Sequence, residues 1–208
     1  MWLVDLKSNN AVRSLGGPEK ATFCAMSQDG LWLATGTWKG DGVRIWKLPE
    51  ADAPVDLPIH GSASVGFSPD GRWLVTGDTE AYRFWKMGVW ELGKQISSGM
   101  SEHYGRMAFS AKRKTVMAIA CQRDELKVIE LKHLTELTAP DFDREAPLCF
   151  DPDGLMLVTS GETGTFFWQL DAVRAWLKEF DLDWEFLPDF ESIRFPVVRR
   201  VVVPAQAR

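Results

Sequence analysis

Cysteine, histidine and tyrosine are scarce in this chain, with three, three and two copies among 208 residues. Cys24, Cys121 and Cys149 show no C-x-x-C spacing and form an odd set, which argues against a disulfide framework or a zinc knuckle. Cys24 and Cys149 fall in apolar, strand-like segments and are expected as buried thiols. That usage fits a reducing, cytoplasmic setting. Long apolar runs are missing too: none approaches the ~20 residues that a helix needs to cross a bilayer. The opening Met1-Trp2-Leu3-Val4-Asp5-Leu6 has neither the basic lead nor the cleavage site of a secretory signal. Excess positive charge is also absent. The net charge is −5, the opposite of the clustered basic footprint of a nucleic-acid binder. The sole basic cluster, Lys112-Arg113-Lys114, replaces a turn and reads as a solvated hairpin tip. Neither nucleic acid nor membrane is expected as a partner.

Catalytic signatures are missing as well. No G-x-S-x-G, H-E-x-x-H, P-loop or G-x-G-x-x-G phrase occurs in the right context. His60, His103 and His133 are dispersed along the chain. Asp181, Asp183 and Glu185 gather carboxylates, but beside Trp184 and Phe186 at a predicted helix end they read as a solvated turn. The sequence therefore assigns no catalytic residue, no metal ligand and no cofactor.

What the chain does have is a repeat. Ser68-Pro69-Asp70-Gly71 is a turn: proline presets one backbone angle, aspartate bonds its own backbone, and glycine accepts a positive φ. The apolar run Trp73-Leu74-Val75-Thr76 follows, then a second turn at Gly77-Asp78, then Tyr82-Arg83-Phe84-Trp85. The same grammar returns after Ser27-Gln28-Asp29-Gly30 and after Asp151-Pro152-Asp153-Gly154. At Ser110-Ala111-Lys112-Arg113 the turn chemistry is lost, but the strand Val116-Met117-Ala118-Ile119 is kept. Ser27, Ser68, Ser110 and Asp151 stand 41, 42 and 41 residues apart. Eight residues after each comes Thr35, Thr76, Ala118 or Thr159, and further on Trp46, Trp85, Ile129 or Trp168. A period of roughly 40–45 residues with four short strands per unit is the signature of a propeller blade. The ten tryptophans then read chiefly as packing between blades, where large aromatics bury much area.

On these residues the chain resembles the WD-repeat (WD40) β-propeller family over residues 1–170. Val43-Arg44-Ile45-Trp46-Lys47-Leu48, Val128-Ile129-Glu130-Leu131 and Phe166-Phe167-Trp168-Gln169-Leu170 stand where that family has an apolar strand ending in tryptophan-aspartate. Val4-Asp5-Leu6 keeps the aspartate. The family's glycine-histidine pair is eroded to Gly16-Gly17, His60-Gly61 and His103, so its histidine–threonine–aspartate–tryptophan network is incomplete. The resemblance implies an all-β, WD40-like propeller, partial or small, of about four blades. The repeat units run about 11–48, 54–86, 89–131 and 135–170, with a partial blade strand at 2–6. Residues 171–208 form a helix and an extended tail: Asp171 caps the helix, and Val173, Trp176, Leu177 and Phe180 make one apolar face. The phrase Leu182-Asp183-Trp184 is similar to the tail of some bacterial multidomain WD-repeat proteins, in which the repeats often follow a kinase domain. Phe195 to Val203 reads as an edge strand or a sticky tail.

A propeller presents one rim of loops to partners, mainly the turns between second and third strands and the segments before first strands. The partner-binding candidates on those turns are Trp38, Lys39, Asp41, Glu80, Arg123, Asp124 and Glu162. Trp and Arg are enriched at binding hot spots. The leading expectation is a non-catalytic scaffold for a protein or peptide. The alternatives are a propeller enzyme or metal-binding propeller with an unidentified axial site, and a truncated fragment without independent function. Open propeller edges predict association with further copies of the chain.

Overall fold

The computed structural model describes residues 2–5, 11–15, 21–40, 42–51, 53–99, 105–112, 116–121, 126–137, 146–161 and 164–172. The fold is all-β, made of sheets of the WD40-like propeller type, each built from strands that follow one another in sequence. β1 (Trp2–Asp5) and β2 (Ala11–Ser14) form a hairpin. The first four-stranded sheet holds β3 (Ala21–Met26), β4 (Trp32–Thr37), β5 (Val43–Lys47) and β6 (Val55–Leu57). The second holds β7 (Ser64–Phe67), β8 (Trp73–Gly77), β9 (Ala81–Lys86) and β10 (Leu92–Ser97). The third holds β11 (Met107–Phe109), β12 (Val116–Ala120), β13 (Leu126–Glu130) and β14 (Thr135–Leu137). The fourth has three described strands, β15 (Ala146–Phe150), β16 (Met156–Gly161) and β17 (Gly164–Gln169). The chain divides into two compact units, Met1–Ile96 and Ser97–Arg208.

Three of the turns entering second strands form as their residues dictate. Ser27 Oγ donates to Asp29 Oδ1 at 2.5 Å and accepts from Trp32 N at 2.9 Å. Ser68 repeats both bonds with Asp70 and Trp73. Asp151 does the serine's job with a carboxylate, taking the Leu155 and Met156 N–H groups at 2.7 and 2.9 Å. Gly30, Gly71 and Gly154 close these turns at φ of 72°, 73° and 68°. The Asp29 carboxyl is held below its ordinary range, first by the Ser27 hydroxyl and then by the Leu31 N–H.

Within the first unit, successive residues of β4 and β5 face opposite ways. The pair Leu33–Trp46 packs with Leu48, Leu15 and Leu3. The next pair, Ala34–Ile45, packs with Leu57 of the same sheet and with Phe67, Leu74 and Trp85 of the second sheet. The first sheet is thus apolar on both faces, hairpin on one side and sheet on the other, so its inner strands show no polar alternation. Across these two sheets Trp32 and Trp90 meet edge to face, centroids 4.8 Å apart, while Trp73 meets Phe84 in the same geometry at 6.3 Å. Gly93 on β10 leaves the room that the Trp73 ring occupies: a Cβ there would stand 2.5 Å from it. In the second unit, Val116, Ala118, Leu126 and Val128 pack with Leu157, Leu170, Phe150 and Trp168.

The repeated threonine and tryptophan meet. Trp85 Nε1 donates to Thr76 Oγ1, and Trp168 Nε1 to Thr159 Oγ1, both at 3.0 Å. In the third sheet the same two positions are Ala118 and Ile129, both fully buried. Replacing both partners together avoids stranding a buried polar group. Thr35 Oγ1 in the first sheet is buried without a hydrogen-bond partner.

Two expectations change. Cys24 and Cys149 are exposed, and only Cys121 is buried. Both exposed thiols lie on strands at the edge of their sheet, β3 and β15, where a side chain has a neighbouring strand on one side only. The outer strand of the second sheet begins at Leu92, after the turn that ends at Val89. Trp2 and Trp38 are exposed rather than packed between sheets. Residues 170–172 are helical, with Asp171 Oδ1 accepting the Ala172 N–H. The expected helix beyond them, the tail, and Trp176 and Trp184 lie outside the described residues.

Candidate functional site

Antiparallel order places the turn between second and third strands at the same end of a sheet as the segment leading into the next first strand. In the first unit this end carries the β4–β5 turn, the β6–β7 segment 58–63 and the β8–β9 turn 78–80. Segment 58–63 is pinned across the first sheet. Ala63 N donates to Thr37 O at 3.0 Å, and Thr37 Oγ1 donates at 3.3 Å to Gly42 O and Gly61 O. Lys39 N donates to Ser62 Oγ at 2.8 Å. Two glycines admit this close approach: a Cβ on Gly36 would stand 1.9 Å from Ala63 O, and one on Gly42 2.0 Å from Ile59 O.

The β8–β9 turn is ordered by Asp78. Its Oδ1 accepts the Glu80 and Ala81 N–H groups at 2.8 and 2.9 Å, an aspartate capping its own turn. Its Oδ2 accepts from Arg83 Nη1. This ion pair is well screened from water, with side chains 10% and 17% exposed. Arg83 Nη2 also reaches Glu80 Oε2, but at 3.4 Å and with the glutamate side chain 79% exposed.

Between the pinned segment and this turn lies a groove of about 300 Å³, lined by residues 58–62 and 78–80 and by Arg83. That volume is at the small end of ligand sites. One wall comes from the 58–62 segment, exposed at Pro58, His60 and Gly61, with the Ile59 side chain buried in the core. The other is charged, from Asp78, Glu80 and Arg83. The groove is held open by backbone bonds and a shielded ion pair, so a ligand need not first order it.

The structure brings two of the seven candidates to this place. Glu80 lines the groove. Lys39, in the left-handed region at φ 57°, is tied to the groove wall through Ser62. Trp38 is 45% exposed in the adjacent turn. Asp41, Arg123, Asp124 and Glu162 lie outside the described residues. Sequence reasoning did not single out Asp78 and Arg83 as a pair, or His60 and Ser62 as groove residues. The signal for the last two was their place in a segment before a first strand. Nothing in the five-residue spacing of Asp78 and Arg83 marks an ion pair. Among the described residues no group of three or more His, Cys, Asp and Glu could hold a metal ion. No helix among them is long and apolar enough to cross a membrane.

Comparison with known families places these features in one module. Residues 56–85 match the family model "WD40: WD domain, G-beta repeat". The match runs from within β6 to the tryptophan of β9 and contains every residue that lines the groove. The chain matches no curated protein. The segment that carries the candidate site is thus similar to a WD40 repeat.

Proposed function

We propose that this protein is a non-catalytic interaction scaffold of the WD40 type, and that the groove of the first unit receives a peptide segment of a protein partner. The observation that carries this reading is the pinned 58–63 segment facing the Asp78-capped turn within the WD40-matching repeat. Rigid walls reduce the ordering cost of binding. Trp38, Lys39 and Glu80 belong to the contact rim in this reading, and Asp41, Arg123, Asp124 and Glu162 to the corresponding turns. The scaffold acts as a module of a larger, kinase-linked protein, as the Leu182-Asp183-Trp184 phrase suggests.

A random-peptide display library selected against the purified chain tests the proposal. Thr79 lines the groove with an exposed side chain, and Thr79→Trp would fill it. Selected peptides are expected to bind the natural chain and to lose most of their affinity for the variant. Peptides that bind both proteins equally would place recognition elsewhere and defeat the proposal.

A further inference from the structure

In the second sheet the row Phe67, Leu74 and Trp85 crosses three strands and is buried from end to end. Its inner end is covered by the preceding sheet, because β7 packs against both β3 and β4. The same row of the first sheet is Met26, Leu33 and Trp46. It faces the β1–β2 hairpin, and its cover stops part-way. Leu33 and Trp46 are buried in a cluster with Leu3 and Leu15, whereas Met26 is 51% exposed against 8% for Phe67. Cys24, two residues away on the same face of β3, is exposed too.

The hairpin's place in the fold accounts for the gap. Six residues separate β2 from β3, as six separate β6 from β7. β1 and β2 therefore stand where third and fourth strands stand in the first and second sheets. Among the described residues β1 pairs only with β2, and no strand takes the first and second positions of that sheet. A two-stranded sheet is marginal by itself, and the outer edge of β1 is a template for a further strand.

We propose that a partner polypeptide inserts a β-hairpin here. Its second strand pairs antiparallel with β1, and its first strand lies over Met26 and Cys24. Two strands are required because β7, the equivalent of β3, is covered by two. The described strands β3 to β10 already belong to four-stranded sheets, and in a second copy they are equally taken. Phe195 to Val203 reads as a single strand, half of what the seat accepts. Backbone bonds to β1 give affinity, and alternate side chains give selectivity. Met26 and Cys24 carry no charge, so the inserted hairpin presents uncharged apolar residues at every second position. The seat shares no residue with the groove.

The test follows alkylation of Cys24 in the full chain by mass spectrometry, with the exposed Cys149 of the other unit as reference. Cysteine-free hairpin peptides with Asn-Gly turns are selected by display against the natural chain, with Met26→Asp as the counter-target. Short linear peptides do not supply two paired strands, so selection for the groove does not report on this seat. Hairpins that prefer the natural chain about tenfold or more are expected, since an aspartate would be buried without a partner. At saturation they should slow Cys24 alkylation about tenfold or more, as reactivity follows exposure, and leave Cys149 unchanged. Thr79→Trp should bind them as the natural chain does. A library without discriminating hairpins, or hairpins that leave Cys24 as reactive as before, would overturn the inference. So would a Cys24 already protected in the free chain. Protection independent of protein concentration would give the seat to another segment of this chain, and protection that grows with concentration to a second copy. Circular dichroism melts of Met26→Asp, unchanged for an exposed side chain, separate lost binding from lost fold.

Discussion

At the level of single residues, the least expected feature is a left-handed residue at the end of each described turn between third and fourth strands. Ala51, Trp90 and Leu134 have φ of 53°, 57° and 55°. Each lies five residues after its strand's tryptophan or isoleucine, at Trp46, Trp85 and Ile129. None is a glycine or asparagine, so no turn rule points to them. A residue with a side chain is disfavoured there by roughly 1–2 kcal/mol. Ala51→Gly is therefore expected to stabilise the chain by about 0.5–1 kcal/mol in urea denaturation. Leu134→Gly should destabilise it, because that leucine is buried. The threonine–tryptophan pair gives a second prediction. Thr76→Val would leave the buried Trp85 Nε1–H without its acceptor and cost about 1–3 kcal/mol, measured the same way. The four-fold spacing of threonine and tryptophan was legible in the sequence, and so were the alanine and isoleucine that replace them together.

Elements show what short-range reading captures and what it misses. The serine-aspartate-glycine turns were legible because each is closed by its own residues. The seating of segment 58–63 was not, because it depends on glycines 17 and 27 residues earlier in the chain than the carbonyls they admit, Gly42 for Ile59 and Gly36 for Ala63. Gly36 and Gly42 looked like ordinary turn and strand residues. Their importance lies in backbone atoms that pack where a Cβ would be. Gly36→Ala should cost about 2 kcal/mol or more, in the range of overpacking, and should abolish binding of the selected peptides by displacing the groove wall. Peptide affinity retained in that variant would contradict the rigid-wall account. Exposure of Cys24 and Cys149 was missed because their strands were read as buried, whereas β3 and β15 are exposed at those positions.

One ion pair links element to solution conditions. Arg44 on β5 reaches Asp56 on β6 with two bonds, Nε to Oδ1 at 2.5 Å and Nη2 to Oδ2 at 2.8 Å. These bonds hold the Asp56 carboxyl below its usual range. Its folded value therefore lies below its unfolded value, near 3.9. The stabilisation is fully present above about pH 4 and is lost as pH falls through the depressed folded value. Both side chains are partly open to water, so the contribution should stay under about 1 kcal/mol. Thermal melts should show Asp56→Asn slightly less stable than the natural chain at pH 7. The gap should close in strong acid.

For the whole molecule, the all-β fold and the sheet order were legible because the repeat fixes strand count and direction without long-range information. The groove's location was legible only as a rim, a set of turns at one end of the sheets. Its chemistry needed the structure, since the Asp78–Arg83 pair and the 58–62 segment meet only through the fold. The proposed function requires that this preformed groove hold a partner's peptide. The most direct measurement is an amide chemical-shift map of the isotope-labelled chain titrated with a library-selected peptide. Shifts are expected to concentrate in residues 58–62 and 78–83, with those around Gln28–Gly30 and Pro69–Arg72, at the opposite end of the sheets, unchanged. Shifts centred on those opposite turns, with the groove silent, would contradict it.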